Sequence, residues 1–232
     1  MVSARIHSYD VLVMFAISSM LVDHIGFFFY PDIEIFRVIG RLAAPLFLFL
    51  YGYGHNHIKP SFALLALILT LFKGQYPLDI LATFFILSVS YKYLFSYLTD
   101  YESFFFSILI FFVVEISISP YMSYISVAFL YFMAGKSLYN NKLIYSMTYL
   151  ILAISFQFAL YLIAFNNTLV LALILNLLLL LCIYFYRDIY TTKQSASKNL
   201  YVSKISKYSL HIYIAHIIVF AAIQHFLQLH NI

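Results

Sequence analysis

A handful of ionisable side chains interrupt otherwise apolar stretches of this chain, and they are the residues able to do chemistry there. The run MLVDHIG carries Asp23 beside His24, and FRVIGRLAAPLFLFLYGYG carries Arg37 and Arg41. Near the far end, KYSLHIYIAHIIVFAAIQHF holds His211 and His216, with Tyr213 and Gln224. A charge at the centre of a membrane helix costs about 2.5–3.5 kcal/mol on insertion scales, so charges persist there mainly where they serve a site. An imidazole close to a fixed carboxylate can act as a general base near neutral pH. An antiparallel hairpin of the first two runs brings Asp23, His24 and Arg41 to similar depth, where an Asp23–Arg41 pair lowers the joint cost of burial. Successive helical residues point about 100° apart, so Asp23 is not expected to orient the His24 ring; Arg41 or a substrate is the expected partner. His216, about mid-span, also needs a partner, which only a bundle interior supplies. The plainer reading of the same residues is a hairpin staple, an interfacial His24 and a hydrogen-bonded core His216.

A second group is basic and lies in polar segments. GYGHNHIK carries His55, His57 and Lys59, and Lys136, Lys142 and the lysines of 187–207 share its side of the expected topology. Such a set suits the phosphates of a polyanionic cofactor such as coenzyme A, and anionic lipid headgroups equally. No metal is expected: the two histidines are two residues apart with no acidic or thiol ligand nearby. No Walker or G-x-G-x-x-G motif is present to narrow the ligand. Cys182 is the single cysteine, in LLLLLCIYFY; it allows no intramolecular disulfide and reads as a small buried hydrophobe.

Composition says what must position these residues. Of 232 residues 64% are hydrophobic and 9% charged, with mean hydropathy +0.94, against about 25% charged in a soluble domain. Such a chain lacks the polar surface to face water, so the expected fold is all-α: a polytopic transmembrane helical bundle in one domain, 1–232. Apolar runs between polar punctuation predict about nine spans, near 10–30, 35–54, 60–73, 78–95, 103–118, 121–138, 143–164, 168–186 and 207–229. Pro31, Pro60, Pro77 and Pro120 fall at the boundaries, where helices tolerate proline. Pro45 alone falls inside a span, freeing a backbone carbonyl as in helices that line cavities, while Gly40, Ala43 and Ala44 permit close helix approach.

Charge sets orientation. With the N-terminus cytoplasmic, ten cations (Arg5, Lys59, Lys92, Lys136, Lys142, Arg187, Lys193, Lys198, Lys204, Lys207) face the cytoplasm and two (Arg37, Lys73) the other side, the bias of a membrane protein. The net charge of +4 therefore sets topology, and nucleic acid is not an expected partner. The basic N-terminal start followed by apolar residues reads as a retained first span, since Asp23 and His24 interrupt it and no small-residue cleavage site follows. The chain has no Trp but 22 Tyr and 25 Phe, with Tyr9, Tyr30, Tyr139, Tyr184 and Tyr186 near span ends as interfacial anchors. The longest loop, roughly 187–206, is polar and Lys-rich, and no internal repeat of the kind found in inverted-repeat transporters is evident.

DHIG closing the first span and GRLAAPLFLFLYGYG in the second resemble the signature of the TraX family, small membrane proteins linked to N-acetylation of conjugative pilins. KGQYPLDILATFFILSV is similar to that family's next element, with Asp79 where Asn often stands, and KYSLHIYIAHIIV to the last helix of the wider acyltransferase-three clan. The first 95 residues and the last 25 carry the likeness. The resemblance implies a bacterial inner-membrane enzyme moving an acetyl group from cytoplasmic acetyl-CoA to a pilin-like protein or glycan acceptor. On that reading His24 accepts the proton, Asp23 and Arg41 position it or the thioester, and His216 assists; Lys59, His57, Lys136 and Lys142 would hold the cofactor. Two other classes fit the residues: a small transporter or channel lined by Asp23, Arg41 and His216, and a scaffold whose buried charges fix helix register.

Overall fold

The structure is a computed structural model and describes residues 8–53, 61, 64, 68, 80–93, 98, 100–117, 125–164 and 208–229. All regular structure among them is helical: α1 (Ser8–Phe29), α2 (Glu34–Gly40), α3 (Ala43–Tyr53), α4 (Ile80–Tyr93), α5 (Asp100–Ser117), α6 (Ile125–Tyr139), α7 (Leu143–Ala164) and α8 (Ser209–Leu229). These helices fall on the apolar runs of the sequence. Among the described residues two stretches, Leu12–Phe29 and Glu34–Tyr53, are long and apolar enough to cross a membrane. The expected span 168–186 lies outside the described residues, as does 60–73 except for Ser61, Leu64 and Ile68; so do His55, His57, Lys59, Asp79 and Cys182.

The chain divides into two compact units, Met1–Leu46 with Leu160–Ile232, and Phe47–Ala159. In the first, α1 buries Leu12, Val13, Ala16, Ile17 and Met20 along one helical stripe while Phe15 on the opposite face is half exposed, so this helix is apolar all round. It pairs antiparallel with α2: the Ser19 hydroxyl donates to the Ile39 carbonyl at 2.6 Å, and Tyr30 stacks on Phe36. Against α8 it runs parallel, because His24 meets Tyr213 and His216 while Phe28 and Phe29 meet Phe220.

The stretch expected as one span over 35–54 is broken at Arg41–Leu42. The turn tightens there, Leu42 N–H donating to Ile39 three residues back, before Leu46 N–H resumes the α-pattern to Leu42. Pro45 supplies the cause: it has no N–H to give the Arg41 carbonyl four residues earlier.

In the second unit, α3 and α6 touch through a reciprocal pair of glycines. A Cβ on Gly52 would strike the Phe132 carbonyl, and one on Gly135 the Phe49 carbonyl. This is the close approach that small residues allow between apolar helices. The α6–α7 hairpin closes on a Schellman motif, with Asn141 left-handed at φ 59°, Lys142 N–H donating to Ser137 O at 2.8 Å and Asn141 N–H to Leu138 O at 3.0 Å. Buried polar groups satisfy one another across helices: Tyr131 donates to Gln157, Tyr51 bonds Ser88, and Ser146 donates to Ala134 O at 2.8 Å.

Candidate functional site

The first unit brings two imidazoles together from opposite ends of the sequence. His24 lies in the last two turns of α1 and His216 in the second turn of α8, and their rings stack 4.7 Å apart at 21°. His24 Nδ1 is hydrogen-bonded to His216 Nε2. The far nitrogen of His216, Nδ1, lies 2.9 Å from the Ile212 carbonyl. A carbonyl only accepts, so His216 carries its proton on Nδ1, its Nε2 is an acceptor, and His24 must donate from Nδ1. The basic nitrogen of the pair is then His24 Nε2. A proton arriving there would be shared along a line of two rings ending on a backbone carbonyl, as linked hydrogen bonds polarise one another.

Aromatic rings surround the pair. Phe28 lies edge-on to His24, Phe220 to His216, and Tyr213 contacts both histidines. Each of Phe28, Phe220 and Ile212 stands four residues from its histidine, on the same helix face. His216 is buried and His24 half-buried, so the exchangeable nitrogen belongs to the less enclosed ring.

Beside them, Asp23 is clamped by Arg37. The guanidinium Nη1 reaches Asp23 Oδ2 at 3.0 Å and the Asp23 carbonyl at 3.2 Å, and Arg37 Cζ lies 5.3 Å from the Phe27 ring centre. Arg37 is thus a partner of the carboxylate beyond the expected Arg41, one turn earlier and nearer the α1–α2 turn. Arg41 caps α2 with φ −61° and ψ −13°, its N–H donating to Arg37 O at 3.0 Å. Gly40 makes the clamp possible: any Cβ there would overlap the backbone of Asp23, so α1 and α2 come together at that residue.

Lys136 and Lys142, the described members of the expected phosphate-binding set, line one cleft in the second unit. The cavity, about 180 Å³, is bounded also by Tyr91, Ser103, Ser137, Asn140 and Tyr145, and among the described residues no acidic one lines it. The Lys136 ammonium sits 4.9 Å from the Tyr91 ring centre and 5.0 Å from that of Tyr139. The volume is below the roughly 300–1,000 Å³ of clefts that enclose a drug-sized ligand; it fits the phosphate end of a larger molecule.

No family model matches the chain, and no solved structure matches it. An uncharacterized protein of Rickettsia prowazekii (strain Madrid E) is 48% identical over 40 residues, 17% of this chain. That stretch is 16% of the relative's own length.

Among the residues singled out by sequence, Asp23, His24 and His216 converge in one unit with Arg41 near the Arg37 clamp, and Lys136 and Lys142 converge in the other. No group of three or more His, Cys, Asp or Glu able to hold a metal occurs among the described residues. Arg37, Ile212, Tyr213, Phe28 and Phe220 were not expected in these roles. The i, i+4 spacing of the aromatic residues to their histidines was the available signal.

Proposed function

We propose that this protein is a polytopic integral membrane acyltransferase that moves an acetyl or other acyl group from cytoplasmic acyl-CoA to an amine or hydroxyl acceptor. The observation that carries the reading is the His24–His216 pair, with its basic nitrogen defined as His24 Nε2. The acceptor N–H or O–H gives its proton to that nitrogen while its lone pair attacks the thioester carbonyl. As the C–S bond breaks, the proton passes from His24 to the departing sulfur, and both rings return to their starting tautomers. Removal of the acceptor proton by a placed base is worth about 10²–10⁴ in rate. The Asp23–Arg37 clamp fixes the end of α1 that carries the base.

Membrane embedding is supported by apolar side chains left exposed on helix after helix, among them Phe15, Phe105, Val113, Ile144, Ile151 and Ile218. Such surface is unsuited to water. The parallel course of α1 and α8 supports an odd number of spans, in keeping with nine. The likeness to TraX proteins favours a bacterial inner membrane and a pilin-like N-terminus as acceptor, with a glycan hydroxyl as the other class.

The test is transfer of label from radioactive acetyl-CoA in membranes containing the wild type or His24→Ala. Loss of labelling by about 10²-fold or more, with unchanged expression and thermal unfolding, supports the assignment; equal labelling overturns it. Solute flux in proteoliposomes without any acyl donor, together with absent labelling, would replace it by the transporter reading.

A further inference from the structure

The cleft at the α6–α7 hairpin has the chemistry of a phosphate site. It lies where the Schellman turn ends α6, so Lys136 in the last turn of α6 and Lys142 just beyond the turn converge on one cavity. Ser103, Ser137, Tyr145 and Asn140, which carry neutral hydrogen-bonding groups, line the same cavity. A phosphate needs many donors, and ammonium, hydroxyl and amide groups all supply them. The Tyr91 and Tyr139 rings hold the Lys136 ammonium in place without neutralising it, since a ring face attracts a cation but carries no net charge. Four elements or their ends contribute: α4 through Tyr91, α5 through Ser103, α6 and α7.

We infer that this cleft binds a phosphate group borne on a larger molecule whose remainder lies outside it. The two sources of that group are a soluble nucleotide-type coenzyme and the headgroup of an anionic lipid. The inference rests on the acyl-CoA reading only for the name of the soluble source; the phosphate chemistry stands without it.

Binding is measured on the full-length protein in detergent micelles, by titration with coenzyme A, with inorganic pyrophosphate, and with short-chain phosphatidic acid against phosphatidylcholine. The variants are Lys142→Met, Lys136→Met, Asn140→Ala and, as a control outside the cleft, His24→Ala. Lys142 is exposed, so its substitution leaves the fold intact. The expected result is saturable binding of coenzyme A and pyrophosphate that Lys142→Met weakens about ten-fold or more, from loss of a charge-assisted hydrogen bond, and that His24→Ala leaves unchanged. Selective binding of phosphatidic acid with the same lysine dependence also supports the cleft, with the lipid as source. Affinities equal in wild type and both lysine variants, for every probe, overturn the inference. The two readings fail separately: pyrophosphate binding without His24-dependent transfer keeps the cleft and removes the acyltransferase, and His24-dependent transfer with a donor KM indifferent to both lysines does the reverse.

Discussion

Arg37 holds Asp23 by both its carboxylate and its main-chain carbonyl, so its removal takes an ion pair and a hydrogen bond from the α1–α2 contact. Breaking a buried pair by deleting one partner costs about 3–5 kcal/mol; here both side chains are partly accessible, at 23% and 16%, and the loss should fall below that range. Arg37→Ala should therefore lower the thermal unfolding temperature in micelles, and Asp23→Asn combined with Arg37→Ala should recover part of the loss. An additive double mutant would show that the two groups are not coupled. On the proposed acyltransferase reading His216 acts through His24: it accepts from His24 Nδ1 and is itself oriented by Ile212 O. His216→Ala should lower kcat while leaving the donor KM unchanged, and a rise in KM with unchanged kcat would contradict the relay. Asp23, His24 and His216 were all legible in the sequence as polar residues in apolar runs. The part played by Arg37 was not, because it depends on how one helix rotates against another, and a break at Arg41–Leu42 alters that rotation.

The helices themselves were legible from hydropathy, because apolar runs of span length have few other uses. The α1–α2 hairpin followed from its short connection, and Gly40 was expected to permit close packing. What the pattern did not convey was where the backbones touch. Gly40 abuts Asp23, and Gly52 and Gly135 each abut a carbonyl of the facing helix. Overfilling a packed contact costs about 1–3 kcal/mol, so Gly40→Val should destabilise the protein by that order. It should also reduce acyl transfer more than Gly135→Ala does at equal loss of stability, since only the former moves α1. Thermal unfolding and labelling of the same preparations check this; an active, stable Gly40→Val would refute the close approach. In the second unit, Tyr131→Phe removes the buried hydrogen bond to Gln157 and should cost about 0.5–1.5 kcal/mol, the net worth of one such bond.

At the scale of the molecule, two units divide the chain: one is assembled from both ends, the other from the middle. This division was invisible to hydropathy, which treats every span alike and carries no record of which spans meet. The parallel pairing of α1 with α8 makes a topological prediction. In a Cys182→Ser background, Ser3→Cys and Ser203→Cys should react with a membrane-impermeant maleimide only after permeabilisation, and Asp32→Cys without it. Labelling of Ser3→Cys and Ser203→Cys from opposite sides would contradict the parallel arrangement. The pairing also bears on biosynthesis. The two histidines are 192 residues apart, and ribosomes add about 5–20 residues per second. On the proposed membrane reading, His24 therefore enters the bilayer about 10–40 s before its partner is made. Until the final helix docks, the nascent protein holds a lone imidazole and no relay, so a chain truncated before Ser209 should insert yet stay inert.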